Sequence, residues 1–150
     1  MKKYRFPLET LLRHRQELEE KERNSLLQLR AGLRREEDFR DRLEAVKESA
    51  RQEMATGVAA GAVLDPVDLQ LSTRYLQRLG VESDRSEKRI ESLSRDVQTQ
   101  TSAVVDATRK TKVLDTLKGK SFKEYRRNAD SLEQKSVDDL VATRFVGKKP

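Results

Sequence analysis

One tripeptide in the sequence has the residue types of a nucleotide-binding site. Gly119-Lys120-Ser121 matches the end of a phosphate-binding loop, in which backbone amides and a lysine hold phosphate groups. Such a loop also requires a glycine five positions before Gly119 and a strand ahead of it. Leu114 occupies the required position, and the preceding pattern is helical. The tripeptide therefore does not predict nucleotide binding.

Other residues suited to catalysis are scarce. His14 is the only histidine and cysteine is absent, which leaves no histidine-based metal cluster, cysteine zinc site or thiol nucleophile. Carboxylates are dense at Glu19-Glu20 and over residues 36–38, but the charged face of a helix accounts for them. We therefore expect no catalytic residues, no cofactor and no metal, and we predict that the protein is not an enzyme.

The composition constrains the elements that could position any site. Of the 150 residues, 39% are charged and 35% are apolar, whereas a typical globular domain is about 25% charged and about 45–50% apolar. This balance favours a helical coiled coil or a disordered chain over a domain with a thick core. The longest uncharged run covers residues 54–64, and a membrane-spanning helix needs about 20 apolar residues. We therefore expect a cytoplasmic protein without membrane insertion.

Two long stretches have the heptad pattern of helices that pack along a narrow seam. In residues 8–53 and 67–146, steps of three and four residues from Leu8 and from Leu69 fall mostly on apolar side chains. Neither stretch contains proline. Three polar residues interrupt the second seam, namely Ser83, Ser86 and Gln100. We therefore expect a loose coiled coil.

The segment between these stretches has the composition of a turn. Residues 55–65 contain Gly57 and Gly61, and Pro66 follows. Asp65 can cap the second helix by accepting hydrogen bonds from its first free amides, and Pro66 suits the first helical position. The sequence predicts a single domain over residues 1–150, with helix one at about 7–54, a turn at about 55–65 and helix two at about 66–145. The predicted fold is all-α, an antiparallel two-helix coiled-coil hairpin with a longer second helix.

The unequal helix lengths predict an overhang. If the chain turns near residue 60, Leu8 lies opposite Val113, and helix two beyond about Leu114 has no partner from helix one. This part of helix two still carries apolar side chains such as Leu117 and Tyr125. Exposed apolar residues there indicate that a partner covers them, although a frayed tail or self-association remains an alternative.

The net charge of +6 is unevenly distributed. Residues 1–15 carry five basic residues against Glu9, and residues 109–127 carry eight against two acidic ones, for net charges of +4 and +6. An antiparallel hairpin brings these segments together, so that one end carries about +10, which indicates an acidic partner.

The basic end leaves two other hypotheses open, a binder of nucleic acid or of an anionic surface, and a generic coiled-coil adapter. Aromatic residues make up only 5% of the chain, which leaves little material for stacking on bases. Acidic residues are also interleaved through residues 16–53 and 82–106, which argues against a continuous face that follows a nucleic-acid groove.

Five segments carry a resemblance to a known family: Tyr4–Arg15, Asp68–Leu79, Lys112–Arg127, Glu133–Lys135 and Ala142–Phe145. In this order and spacing they resemble the FliJ family of flagellar export proteins, which is related to the stalk proteins of type III secretion. The resemblance covers nearly the whole chain. It implies an antiparallel coiled coil similar to the rotor stalk of rotary ATPases.

The resemblance also implies partners. In the family, the end that carries both termini enters the central hole of the hexameric flagellar export ATPase, and the stalk contacts the cytoplasmic domain of the export gate and export chaperones. It thus implies a non-enzymatic central stalk and coupling factor, peripheral at the cytoplasmic face of the inner membrane. We expect no nucleic-acid partner.

A stalk inside a hexamer would use the basic, overhanging end, because its apolar and basic side chains could meet the inner loops of the ring. The candidate ATPase-binding residues are Arg13, Lys112, Leu114, Leu117, Lys118, Tyr125 and Arg126. For the export gate, the family's aromatic-plus-leucine pair near the start of helix two maps onto Tyr75 and Leu79, with Leu76 between them. Leu76 and Leu79 also occupy seam positions, so Tyr75 is the better candidate for a partner contact. Gly80 and Gly119 are poor helix formers, and a kink at either position would alter these surfaces.

Overall fold

The computed structural model of the protein describes residues 2–59 and 65–147. Within these ranges the chain forms two helices, α1 (Glu9–Ala59) and α2 (Pro66–Val146), and no strand. The predicted all-α fold with a longer second helix is confirmed. The ends of α2 agree with the sequence prediction to within one residue, whereas α1 continues past its predicted end at residue 54.

The first half of the predicted turn is helical. Because α1 runs to Ala59 and includes Gly57, the predicted turn over residues 55–65 is wrong for residues 55–59. A glycine costs a helix only about 1 kcal/mol relative to alanine, which a long packed helix tolerates. Gly61, the second glycine of the predicted turn, lies outside the described residues. The two glycines of α2, at positions 80 and 119, do not interrupt that helix.

The start of α2 is fixed by a cap, as predicted. The Oδ1 atom of Asp65 accepts a hydrogen bond from the amide of Val67 at 3.1 Å, and the Asp65 carbonyl accepts one from the amide of Leu69 at 3.1 Å. Pro66 occupies the first helical position, where its missing amide proton leaves no hydrogen bond unmade.

The chain divides into two compact units, each of which contains part of both helices. We call residues Glu22–Val104 the central unit, and the segments Met1–Lys21 and Val105–Pro150 together the terminal unit. In each unit the helices pack antiparallel, since later residues of α1 contact earlier residues of α2.

Hydrogen bonds to glutamates of α1 join the helices of the central unit. Glu44 accepts one from the Ser83 hydroxyl at 2.8 Å. Glu36 accepts one from the Ser86 hydroxyl at 3.0 Å and one from the Arg89 guanidinium at 2.8 Å. These contacts set the register of the two helices in this unit.

The same pattern continues at the other end of the central unit. The Gln100 amide donates to the Glu22 backbone carbonyl at 2.9 Å, and it also donates to the Glu22 carboxylate. In one ion pair the cation lies on α1 and the anion on α2, with Arg40 and Glu87 3.8 Å apart. Both helices therefore contribute charge to the seam, but the hydrogen bonds run mainly from α2 donors to α1 glutamates.

The heptad steps from Leu69 locate the buried face of α2. Every step position from Ser72 to Tyr125 is buried or half-buried, whereas Leu69 itself is 41% exposed. On α1 the most deeply buried apolar residues are Leu12 and Leu26, which lie one position beside the predicted steps. The periodicity thus predicted the seam of α2 more closely than that of α1.

Polar seam residues are as deeply buried as the apolar ones. Ser86 is fully buried, and Ser83 and Thr111 are each 6% exposed. All three hydroxyls donate hydrogen bonds, and no buried side-chain nitrogen or oxygen among the described residues lacks a partner. We expected the serines and Gln100 to loosen the seam. That expectation did not account for the glutamates that accept hydrogen bonds from them.

Two glutamates of the central unit have lowered pKa values. The hydrogen bond from Arg89, followed by that from Ser86 and the charge of Arg89, lowers the pKa of Glu36 despite partial desolvation. The hydrogen bond from Ser83, followed by the charge of Lys47, lowers the pKa of Glu44. Both interactions favour the charged carboxylate in the folded state.

These shifts predict a loss of stability in acid. A group with a lowered folded-state pKa stabilises the fold above its unfolded pKa, here about 4.5, and that contribution is lost as the pH falls through the folded value. We expect Glu36→Gln to be less stable than wild type at neutral pH, and the difference to shrink below about pH 4.5. Urea denaturation followed by helical circular dichroism at several pH values measures this. A difference that does not change with pH would contradict the assignment.

Gly80 offers a stabilising substitution. A Cβ atom built on Gly80 meets no heavy atom within 4 Å, and the backbone there is helical. Gly80→Ala should therefore raise the free energy of unfolding by about 1 kcal/mol, measured as a higher urea midpoint. A lower midpoint would show that α2 needs a glycine at this position.

Candidate functional site

An aromatic cluster joins the N-terminal segment to α2 in the terminal unit. The ring of Tyr4 lies 5.2 Å from that of Phe122, edge to face, and 5.2 Å from that of Tyr125. The rings of Phe122 and Tyr125 are 6.4 Å apart and nearly parallel. Aromatic pairs at these distances contribute about 0.5–1.5 kcal/mol beyond the burial of their area.

Two tyrosine hydroxyls hold the same segment from opposite directions. The Tyr4 hydroxyl donates to the backbone carbonyl of Lys118 at 3.3 Å, and the Tyr125 hydroxyl donates to the backbone carbonyl of Lys2 at 2.6 Å. We call this arrangement of Tyr4, Phe122 and Tyr125 the aromatic clasp. It holds the stretch of chain that precedes α1 against α2.

The register of the terminal unit differs from the prediction. The Lys118 ammonium forms an ion pair with the Glu9 carboxylate at 2.9 Å, and Thr108 donates to Glu19 at 3.1 Å. The prediction that Leu8 lies opposite Val113 is therefore wrong. These contacts pair each α1 residue with a later residue of α2 than predicted, in keeping with the extension of α1 beyond residue 54.

The overhang consequently begins later than predicted. Leu114 is only 7% exposed, so the prediction that α2 loses its partner there is wrong, and its side chain is part of the core. Every described residue of α2 after Ala129 is exposed. The large apolar side chains of this exposed stretch are Leu132, Val137, Leu140, Val141, Phe145 and Val146.

The structure sorts the candidate ATPase-binding residues into three groups. Arg13, Lys112 and Arg126 are exposed, and Leu117 is 43% exposed. Two are half-buried and engaged within the chain, Lys118 with Glu9 and Tyr125 in the aromatic clasp. The third group is Leu114 alone, which is buried.

Most of the described cations of the terminal unit form no ion pair. Eight basic residues lie between positions 109 and 127, and within the described chain only Lys118 among them forms an ion pair. Arg13 on α1 forms no ion pair with any described residue. The positive charge predicted for this end is therefore available at the surface.

The candidate gate residues lie in the central unit. Tyr75 is 47% exposed, Leu76 is half-buried, and Leu79 is 9% exposed. Leu79 is thus a core residue, whereas Tyr75 borders a shallow groove of about 200 Å³ between the helices. Met54 and Val58 of α1 line the opposite side of this groove. Tyr75 is therefore the most exposed of the three, and its contact with the gate stays a prediction.

Sequence reasoning missed the aromatic clasp. Tyr4 was not assigned a contact, and Phe122 and Tyr125 were placed on an unpaired overhang. The available signal was the three-residue spacing of Phe122 and Tyr125, which puts two rings on one side of a helix. Periodicity alone gave no reason to bring the non-helical Tyr4 to that side.

The described residues contain no group of three or more His, Asp or Glu residues that could hold a metal ion. No described helix is long and apolar enough to cross a membrane.

Comparison with protein families decides the relationship. The family described as "Flagellar FliJ protein" matches residues 4–150. The chain belongs to the FliJ family. This membership carries a role related to flagellar protein export. Comparison with curated proteins and with solved structures found no match for this FliJ-family chain.

The aromatic clasp predicts a selective effect of one hydroxyl group. Tyr125→Phe keeps the ring contacts and removes the hydrogen bond to the Lys2 carbonyl, a loss of about 1 kcal/mol. We expect faster hydrogen–deuterium exchange in the segment before α1 and unchanged exchange in the central unit. Exchange that matches wild type throughout would show that the hydroxyl does not hold this segment.

Proposed function

We propose that this chain is a non-enzymatic central stalk and coupling factor of the flagellar type III protein export ATPase. In this role it links the ATPase ring to the export gate and assists delivery of chaperones and their substrates. The observation that supports the proposal most strongly is the family match over residues 4–150. The proposed location is the cytoplasm, peripheral to the export apparatus at the inner membrane.

The surface of the terminal unit supports a contact with the ATPase ring. Arg13, Lys112 and Arg126 are exposed cations without ion pairs among the described residues, and Leu117 adds exposed apolar surface. Cations attract acidic loops over several ångströms, whereas an apolar side chain contributes on contact. We assign these four residues to the ATPase contact.

Lys118 and Tyr125 have a supporting role in this proposal. Both are tied to the N-terminal segment, one through Glu9 and the other through the Lys2 carbonyl. They hold the end of α1 against α2 and thereby position the exposed cations. A rigid presentation lowers the entropic cost of binding.

Coupling to ATP hydrolysis requires a difference between subunit states. A stalk alters the ATPase cycle only if it binds one conformation of the ring subunits more tightly than another. The charge and the apolar surface of the terminal unit provide interactions that can differ in this way.

The export gate is assigned to the groove of the central unit, with Tyr75 as the exposed contact residue and Leu76 beside it.

The test uses two variants that separate the proposed contacts. Arg13→Glu with Arg126→Glu should weaken binding to the hexameric export ATPase by at least about tenfold and abolish stimulation of ATP hydrolysis at equal concentration. Tyr75→Ala should keep this stimulation and lose binding to the cytoplasmic domain of the gate. Binding is measured by surface plasmon resonance and hydrolysis by phosphate release.

A matched control checks that the effect is local. Arg74→Glu with Arg78→Glu makes the same charge change on exposed residues of the central unit, and it should stimulate the ATPase as wild type does. All variants should retain wild-type helicity. If the wild-type chain neither binds nor stimulates the cognate ATPase, the proposed function is wrong, and recovery of unrelated partners would favour a generic adapter.

A further inference from the structure

Five cations form a continuous stripe along α2 in the terminal unit. Steps of three and four residues place them on one side of the helix, with Thr116 filling the single gap. The five are Arg109, Lys112, Lys120, Lys123 and Arg127. The side chains of these five residues and of Thr116 are all exposed, so the stripe faces away from α1.

The five cations of the stripe form no ion pair with any residue that the structure describes. The acids of the same stretch, Asp115 and Glu124, lie on either side of the stripe, roughly 80–100° around the helix from its midline. Asp106 and Asp130 stand at the next steps before and after the stripe, so its two ends are defined.

The shape of the stripe restricts the partner. It lies on one uninterrupted helix and is roughly 27 Å long, at about 1.5 Å per residue. Side chains along one face of a helix all reach a flat anionic surface together. The phosphates of a nucleic-acid duplex wind away from a straight line, so fewer of the five could be matched there.

The residue types also favour a flat lipid surface. No aromatic side chain lies on the stripe, which leaves nothing to stack on the bases of a single strand. It also lacks apolar residues that could enter the acyl region of a bilayer. The chemistry is that of long, mobile cations that meet lipid phosphates at the membrane surface.

We propose that this cationic stripe binds the surface of an anionic phospholipid bilayer. α2 lies parallel to the membrane plane over this stretch, and the side chains contact headgroups without insertion. Each cation near such a surface strengthens binding about fivefold, and the attraction is screened as salt rises. The proposal uses a face of α2 that the stalk function does not require, apart from Lys112.

The test compares two triple variants with equal net charge. Arg109→Gln/Lys120→Gln/Lys123→Gln removes three cations of the stripe and leaves Lys112 intact. Arg74→Gln/Arg78→Gln/Lys88→Gln removes three exposed cations of the central unit. Co-sedimentation with vesicles that contain phosphatidylglycerol should show a loss of about 100-fold in partitioning for the stripe variant and wild-type partitioning for the control. Vesicles of phosphatidylcholine alone should bind none of the proteins.

Several results would overturn this proposal. One is equal loss of binding in both triple variants, since that would reflect total charge rather than the stripe. Another is equal binding of wild type to neutral and anionic vesicles, or no binding to either. A third is tighter binding to a DNA duplex, at the same salt, through the same three residues. Wild-type stimulation of the ATPase by the stripe variant separates this proposal from the stalk function.

Discussion

Glutamates on α1 accept hydrogen bonds from side chains of α2, and the register of the helices depends on this pairing. Glu36 and Glu44 do so in the central unit, and Glu19 does so in the terminal unit. Apolar contact is non-directional, so a seam of leucines and valines packs similarly after a shift of one heptad. A hydrogen bond to a charged group contributes about 1.5–3 kcal/mol and holds only at one alignment.

This pairing explains how so polar a chain forms a packed structure. The donors include the short hydroxyls of Ser83 and Ser86, which fill little space and let the helices approach. Their hydrogen bonds also remove the cost of burying a polar atom without a partner. The carboxylates that accept them lie on α1. The remaining cations of α2 are then left on the outer surface, where partners can reach them.

Much of this architecture could be predicted from the sequence, because periodicity and capping are local properties. The steps along α2 located its buried face, and Asp65 with Pro66 located its start. The register between two helices depends on residues that are far apart in the sequence. The end of α1 at Ala59 and the burial of Leu114 were therefore missed. The exposed cations of the candidate site followed from charge counting. The aromatic clasp did not, because its third ring lies in a segment without a regular pattern.

The aromatic clasp has an evolutionary consequence. Both of its hydroxyls bind backbone carbonyls, which every amino acid possesses, rather than the side chains of Lys2 and Lys118. A substitution at position 2 therefore leaves the hydrogen bond from the Tyr125 hydroxyl intact, provided that the backbone path is kept. Selection can thus retune the charge of this end of the protein one residue at a time while the two tyrosines keep the chain in place.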